Sequence, residues 1–315
     1  MRKRTVWFWI KTLLIAFFIA WFLRAFIVES YHVPACSMEN TLTKGDRIFV
    51  SKLSYGIRLP MTILAIPFCQ DSIQLFGIKS YSTYYTFPYT RIFRKDVKRN
   101  DVIVFNNPTN DFTIPIDKQK ISVSRCFALP GDSLVFRDNM VYINGKVLGQ
   151  SPNILEPYYY PQKEDSLVKT VLSTLQIPVR DVTVIDNLCV RLFSRYEVFL
   201  LEKELPDTFQ IQVLRPTYNL LVPKKGSRIK ITDENYYVYL PIIAAIEKKT
   251  VRYENGLLWI NDKEVEFYEF FNDYYWMLPD NRKNSIDKNI VSFIPETHLI
   301  GKAQCIWNRG FQMIR

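Results

Sequence analysis

Twenty-three consecutive residues near the N-terminus, Val6 to Val28, carry only two charges, Lys11 and Arg24, and that run limits what the rest of the chain can become. An apolar helix of about 20 residues is what crosses a bilayer. The charges lie toward its ends, where long basic side chains reach the headgroups, and Trp7, Trp9 and Trp21 suit the interfacial zones. A cleaved export signal has a shorter apolar core and a small-residue cut site behind it. Neither is present here, so an uncleaved anchor is expected. Met1-Arg2-Lys3-Arg4 in front of the run should stay in the cytoplasm, which sends everything past residue 30 or so outward. The expected layout is a basic cytoplasmic tail at 1–5, a single transmembrane helix at 6–28 in the cytoplasmic (inner) membrane, and an extracytoplasmic bulk.

That bulk belongs to a chain of 315 residues, ample for one large domain or two lobes. Aromatic residues make up 15% and glycines number only 10, a balance that favours strands and half-buried surfaces over disorder. The net charge of +10 suits nucleic acid or an anionic membrane equally. No basic run longer than the opening tetrad occurs, and no zinc-finger or helix-turn-helix spacing, so no nucleic-acid partner is expected. The five cysteines, Cys36, Cys69, Cys126, Cys189 and Cys305, are scattered and odd in number, which argues for buried free thiols rather than a disulfide framework. No metal and no cofactor is expected.

Asp46 to Lys52, Asp101 to Phe105 and Lys120 to Phe127 read as strands. A hairpin follows, Leu134 to Phe136 and Val141 to Ile143 around Asp138-Asn139, with a second turn at Asn144-Gly145. The segment DNMVYINGKVL (Asp138 to Leu148) resembles ENGLLWINDKEV (Glu254 to Val265), two copies of one hairpin building block. Between them, residues 150–250 carry a looser, proline-studded pattern, read as an inserted non-catalytic lobe in a core made of 29–149 and 251–315. The aromatics from Tyr81 to Phe93 fit a core, or a surface that dips into the membrane interface.

Four blocks carry chemistry: VPACSMENTL (Val33 to Leu42) with GDRIFVSK behind it, RNDVIVFNNP (Arg99 to Pro108), SRCFALPGD (Ser124 to Asp132) and PDNRKNSID (Pro279 to Asp287). In order and spacing, and with the anchor, they resemble the bacterial type I signal peptidase family. The resemblance implies a mainly β fold: one N-terminal transmembrane helix followed by an antiparallel β-sheet catalytic domain. It implies a membrane-bound serine endopeptidase that removes signal peptides from exported preproteins after small residues, with Ser37 as nucleophile. A signal peptide sits in the bilayer with its cut site just outside, so a nucleophile nine residues past Val28 is suitably close to the surface. A serine hydroxyl needs a base, in this family a lysine kept neutral by burial. Partners would be signal peptides and the lipid bilayer.

The departures fall on that chemistry. Aligned on Arg125 and on Leu129 to Asp132, the lysine position holds Ser124, whose hydroxyl does not take a proton at neutral pH. Lys120 is four residues away, about 13 Å along a strand. Where many members place an oxyanion-hole serine, this chain has Ala35, leaving the Ser37 backbone N–H as donor. In the last block Pro279 replaces a glycine and Lys283 an aspartate, while Asp280, Asn281, Arg282, Asn284 and Asp287 match and Ser285 keeps the position that supports the lysine. His32 and Lys283 are candidate substitute bases, and His298 reads as a surface or packed histidine. Cys36 adjoins Ser37 but points away from it if the stretch is extended. The alternative to an active peptidase is an impaired or inactive paralogue that binds signal-peptide-like segments or a partner protein.

Overall fold

In the computed structural model, which describes residues 2–33, 38, 41–62, 65, 72–73, 78–82, 84–108, 111, 113–137, 140–147, 155–185, 187–206, 209, 211, 218–280 and 292–314, the apolar run is helix α1, Arg2–Phe26. Its segment Trp7–Phe26 is long and apolar enough to cross a membrane. Val28, still inside the apolar run, opens strand β1, Val28–His32, because the backbone is captured there by β2, Arg47–Ser51, with Val28 opposite Ser51 and His32 opposite Arg47.

The chain divides into two compact units. The first comprises Met1–Pro34, Lys44–Val123 and Ile294–Arg315. Its sheet runs from β1 through β2 to the strand Leu299–Ile306, which pairs on its other side with Val102–Asn106. Ile48, Val50, Ile103, Val104 and Ala303 are buried, as β-branched and small residues on a pleated sheet should be. Gly301 is required where it stands, since a Cβ would collide with the Ser51 carbonyl across the ladder. The aromatic stretch is not core: Tyr84, Tyr85, Phe87 and Phe93 are exposed, and Tyr89 is held at the rim by its hydroxyl bond to Glu296 at 3.0 Å. Arg91, buried, donates to the Tyr89 hydroxyl at 2.7 Å and to the Gly56 carbonyl at 3.2 Å.

At the root of α1 a compact ionic group forms. Lys52 Nζ donates to the carbonyls of Arg24 and Ala25 at 3.0 and 3.1 Å and lies 2.8 Å from Glu29 Oε2. Glu29 also accepts from Arg24 Nε at 2.9 Å and from the Tyr31 hydroxyl at 2.6 Å.

The second unit comprises Ala35–Thr43 and Ser124–Phe293 and holds two apolar cores. The larger gathers Phe127, Leu134, Val141, Ile143, Leu258 and Trp276 with the helix Tyr236–Ala245 and with Leu220, Val222, Ile229 and Ile231. The repeated hairpin block is real in three dimensions. Ser133–Arg137, Met140–Ile143 and Lys146–Val147 form one antiparallel meander, and Val251–Glu254, Leu257–Ile260 and Lys263–Val265 form another. Equivalent residues Val141 and Leu258 point into the shared core, and the turns Asn144-Gly145 and Asn255-Gly256 take the positive φ values (51° and 76°, 53° and 78°) that tight hairpins demand. The smaller core lies within 158–211. Helices Asp165–Thr174 and Arg195–Glu204 cover a three-stranded sheet, burying Tyr160, Val168, Leu172, Phe193 and Leu201. Arg191, a buried charge there, is paired with Asp165 at 2.8 Å.

Candidate active site

The strand Ile121–Ala128 carries Ser124 and Arg125, and it leaves through a turn built by its own sequence. Gly131 sits at φ +90°, where a side chain would be strained. Asp132 accepts the Leu129 N–H at 2.6 Å and the Asn144 side-chain amide at 2.8 Å, so the Leu-Pro-Gly-Asp turn is tied to the turn of the next hairpin. Within the second unit this strand pairs with Tyr274–Leu278. A register shift between Trp276 and Met277 brings Leu278 opposite Arg125, two residues before Asp280.

Asp280 is the hub that results. Its Oδ1 accepts from Arg125 Nε at 3.0 Å and its Oδ2 from Arg125 Nη2 at 2.9 Å, the side-on fork that makes arginine–carboxylate pairs strong. Oδ2 also accepts the Thr41 hydroxyl at 2.6 Å, and Arg125 Nη2 lies 3.3 Å from Thr41 Oγ1. The side chains of Arg125 and Asp280 are only 11% and 4% exposed. Thr41 belongs to the block that contains Ser37, and Arg125 to the strand that contains Ser124. One carboxylate therefore joins three of the four motif blocks.

Immediately after Ser37, Met38 is fully buried and its carbonyl accepts the N–H groups of Thr41 and Leu42 at 2.9 and 2.7 Å, a turn that fixes the exit of the nucleophile block. Ser124 is 8% exposed, and Cys126, two residues along the same strand face, is fully buried, its thiol 3.6 Å from the Ala128 carbonyl. Burial of this kind disfavours the charged form of an amine, whereas a hydroxyl placed in it is neither base nor acid at neutral pH. Ser37 with Ala35 and Cys36, and Asn281, Arg282, Lys283, Asn284, Ser285 and Asp287, lie outside the described residues.

The other candidate bases are placed clearly. Lys120 is exposed and precedes the strand. His32 is exposed at the end of β1. His298 is buried, its Nδ1 3.0 Å from the Thr297 hydroxyl, as a packed histidine would be. Of the described cysteines, Cys126 and Cys189 are buried, Cys305 is half-buried, and all three stand outside any disulfide. Sequence reasoning missed Thr41; the signal was a small hydroxyl residue closing the nucleophile block, whose purpose needs the distant Asp280 to be seen.

Comparison with known proteins points to one family. The family model described as Signal peptidase, peptidase S26 matches residues 6–308. The chain is 27% identical over 304 residues to the signal peptidase I of Buchnera aphidicola subsp. Schizaphis graminum, covering 95% of this chain and 73% of that protein. It is 33% identical over 144 residues to the signal peptidase I of Pseudomonas fluorescens, covering 44% and 39% of the two chains. It is also 33% identical over 128 residues to that of Rickettsia conorii, covering 41% and 39%.

Proposed function

Since the chain belongs to the signal peptidase family, we propose that it is a membrane-bound serine endopeptidase that cuts signal peptides from exported preproteins after small residues, and that it does so slowly. Ser37 Oγ attacks the scissile carbonyl, the acyl-enzyme forms as the mature chain leaves, and water releases the signal peptide. The weak point is the proton of Ser37, for which Ser124 offers no acceptor. Ala35 removes a second oxyanion donor and leaves the Ser37 backbone N–H. Asn281, Arg282, Ser285 and Asp287 support the site, with Asp280 and Arg125 as its frame. Residues 29–149 and 251–315 supply the catalytic core and 150–250 a non-catalytic insertion. The observation that carries this reading is the Asp280 hub, which latches the nucleophile block to the strand of the base position. The comparisons do not favour a non-cutting paralogue. Cleavage of a purified preprotein, followed by mass spectrometry of the product ends, tests it: one cut after a small residue with the wild type and none with Ser37→Ala. A wild type that gives no product in prolonged incubation, while binding the preprotein, would sink it.

The basic residues Arg2, Lys3 and Arg4 support an inside N-terminus, with the rest beyond the inner membrane. Protease added to spheroplasts should digest the main domain and spare the first residues. Protection of the domain with an accessible N-terminus would reverse the orientation.

The exposed aromatics Tyr84, Tyr85, Phe87 and Phe93 support a surface that rests on the bilayer. A chain lacking residues 1–28 should still float in part with anionic liposomes, and replacing the four by serine should abolish flotation. Equal flotation of both chains would assign lipid binding elsewhere.

A further inference from the structure

A transmembrane helix leaves its last carbonyls without intrahelical donors and with the negative end of its dipole exposed. In α1 the Leu23 carbonyl is taken by the Ile27 N–H at 2.9 Å, and the next two, Arg24 and Ala25, are both taken by the Lys52 ammonium at 3.0 and 3.1 Å. Its remaining contact is Glu29 at 2.8 Å, so its three donor directions all meet acceptors. Directly below, the Lys52 backbone N–H donates to the Ile27 carbonyl at 2.9 Å, and the β1–β2 ladder starts at Val28 and Ser51. Only Ile27 separates helix from strand. The Lys52 and Glu29 side chains are 17% and 15% exposed, far from the solvated surface pair whose worth is small.

We propose that Lys52 and Glu29 are positioning residues of the peptidase: they clamp the root of the membrane helix onto β2 and make α1 a rigid extension of β1. The inference rests on the peptidase reading above. A flexible joint would let the domain change height and tilt over the bilayer, whereas the substrate's cut site is fixed at one depth by its own apolar helix. The clamp sets the height at which β1 leaves the membrane, five residues before Ser37. Burial pushes the Glu29 carboxyl up, but Lys52, Tyr31 and Arg24 outweigh it and hold the group below its ordinary value, in its charged form. Burial lowers the Lys52 ammonium, and Glu29 opposes that.

The test uses the full chain in lipid nanodiscs, read by amide hydrogen exchange at residues 23–28 and 51–52. Lys52→Met should speed exchange there about tenfold, with the strand Val102–Asn106 still protected as the sign that the fold is intact. Lys52→Arg, which keeps a cation at the carbonyls, should stay near wild type. The exchanged pair, Glu29→Lys with Lys52→Glu, should remain fast, because it sets a carboxylate against the Arg24 and Ala25 carbonyls. Wild-type exchange in Lys52→Met, or restoration by the exchanged pair, would overturn the clamp. Should Lys52→Met fail to fold, Glu29→Gln, which keeps the shape, carries the same expectation. These arms need no enzymatic activity, so the clamp and the peptidase reading fail separately. For the functional half, Lys52→Met is added to Ser124→Lys and assayed in proteoliposomes. Turnover of a membrane-inserted preprotein should fall about tenfold while that of a short soluble peptide is unchanged. An equal fall on both substrates would make Lys52 merely structural.

Discussion

Replacing Ser124 by lysine should raise cleavage of a preprotein by about 10² to 10⁴-fold, the usual contribution of a positioned general base. The position lies on an ordered strand, between the ion-paired Arg125 and a fixed Pro-Gly-Asp turn, and it is 8% exposed with Cys126 fully buried behind it. Burial there would push an amine's pKa down toward the working range, and a neutral amine is what accepts the Ser37 proton. Adding Ser37→Ala should remove the whole gain. Recovery to the rate of a complete site is not expected, because the missing hydroxyl at Ala35 leaves a deficit of about 3 to 4 kcal/mol in oxyanion stabilisation. The decisive contrary result is a wild type that already cuts fast and loses that rate on changing Lys283 or His32, with Ser124 indifferent.

Asp280→Ala should destabilise the protein by about 3 to 5 kcal/mol, because it strands the Arg125 guanidinium, 11% exposed, without its counter-charge. Thr41→Val, which removes one hydroxyl bond from the same carboxylate, should cost about 1 kcal/mol. Urea denaturation of the detergent-solubilised chain gives both values. A loss under about 1 kcal/mol for Asp280→Ala would mean that water readily replaces the carboxylate. In that case the hub is a surface pair with no structural authority. The double change Asp280→Ala with Arg125→Met should be milder than Asp280→Ala alone, since a buried apolar stem needs no partner.

Much of this was readable beforehand because it is local. The anchor follows from one apolar run, the strands around Arg47, Val102 and Ile121 from β-branched patterning, and the two meanders from Asn-Gly turns that permit few other conformations. Family motifs named Arg125 and Asp280, yet nothing in their spacing disclosed that Thr41 completes the set. Such a contact depends on two segments meeting after the chain has folded. Lys52 was legible only as part of a strand, for its role depends on the helix end it reaches. The aromatics from Tyr84 to Phe93 illustrate the opposite limit. Composition makes aromatic residues look like core, and only the path of the chain reveals that Tyr84, Tyr85, Phe87 and Phe93 face outward.

The partners of Asp280 lie 239 and 155 residues earlier in the chain. A polypeptide made from its N-terminus onward presents Thr41 and Arg125 long before the carboxylate that fastens them. Closing loops of that length is slow compared with local structure, so the latch is among the last contacts made. The hub therefore belongs to the completed chain: a protein that stops before Pro279 would lack the carboxylate on which Thr41 and Arg125 meet.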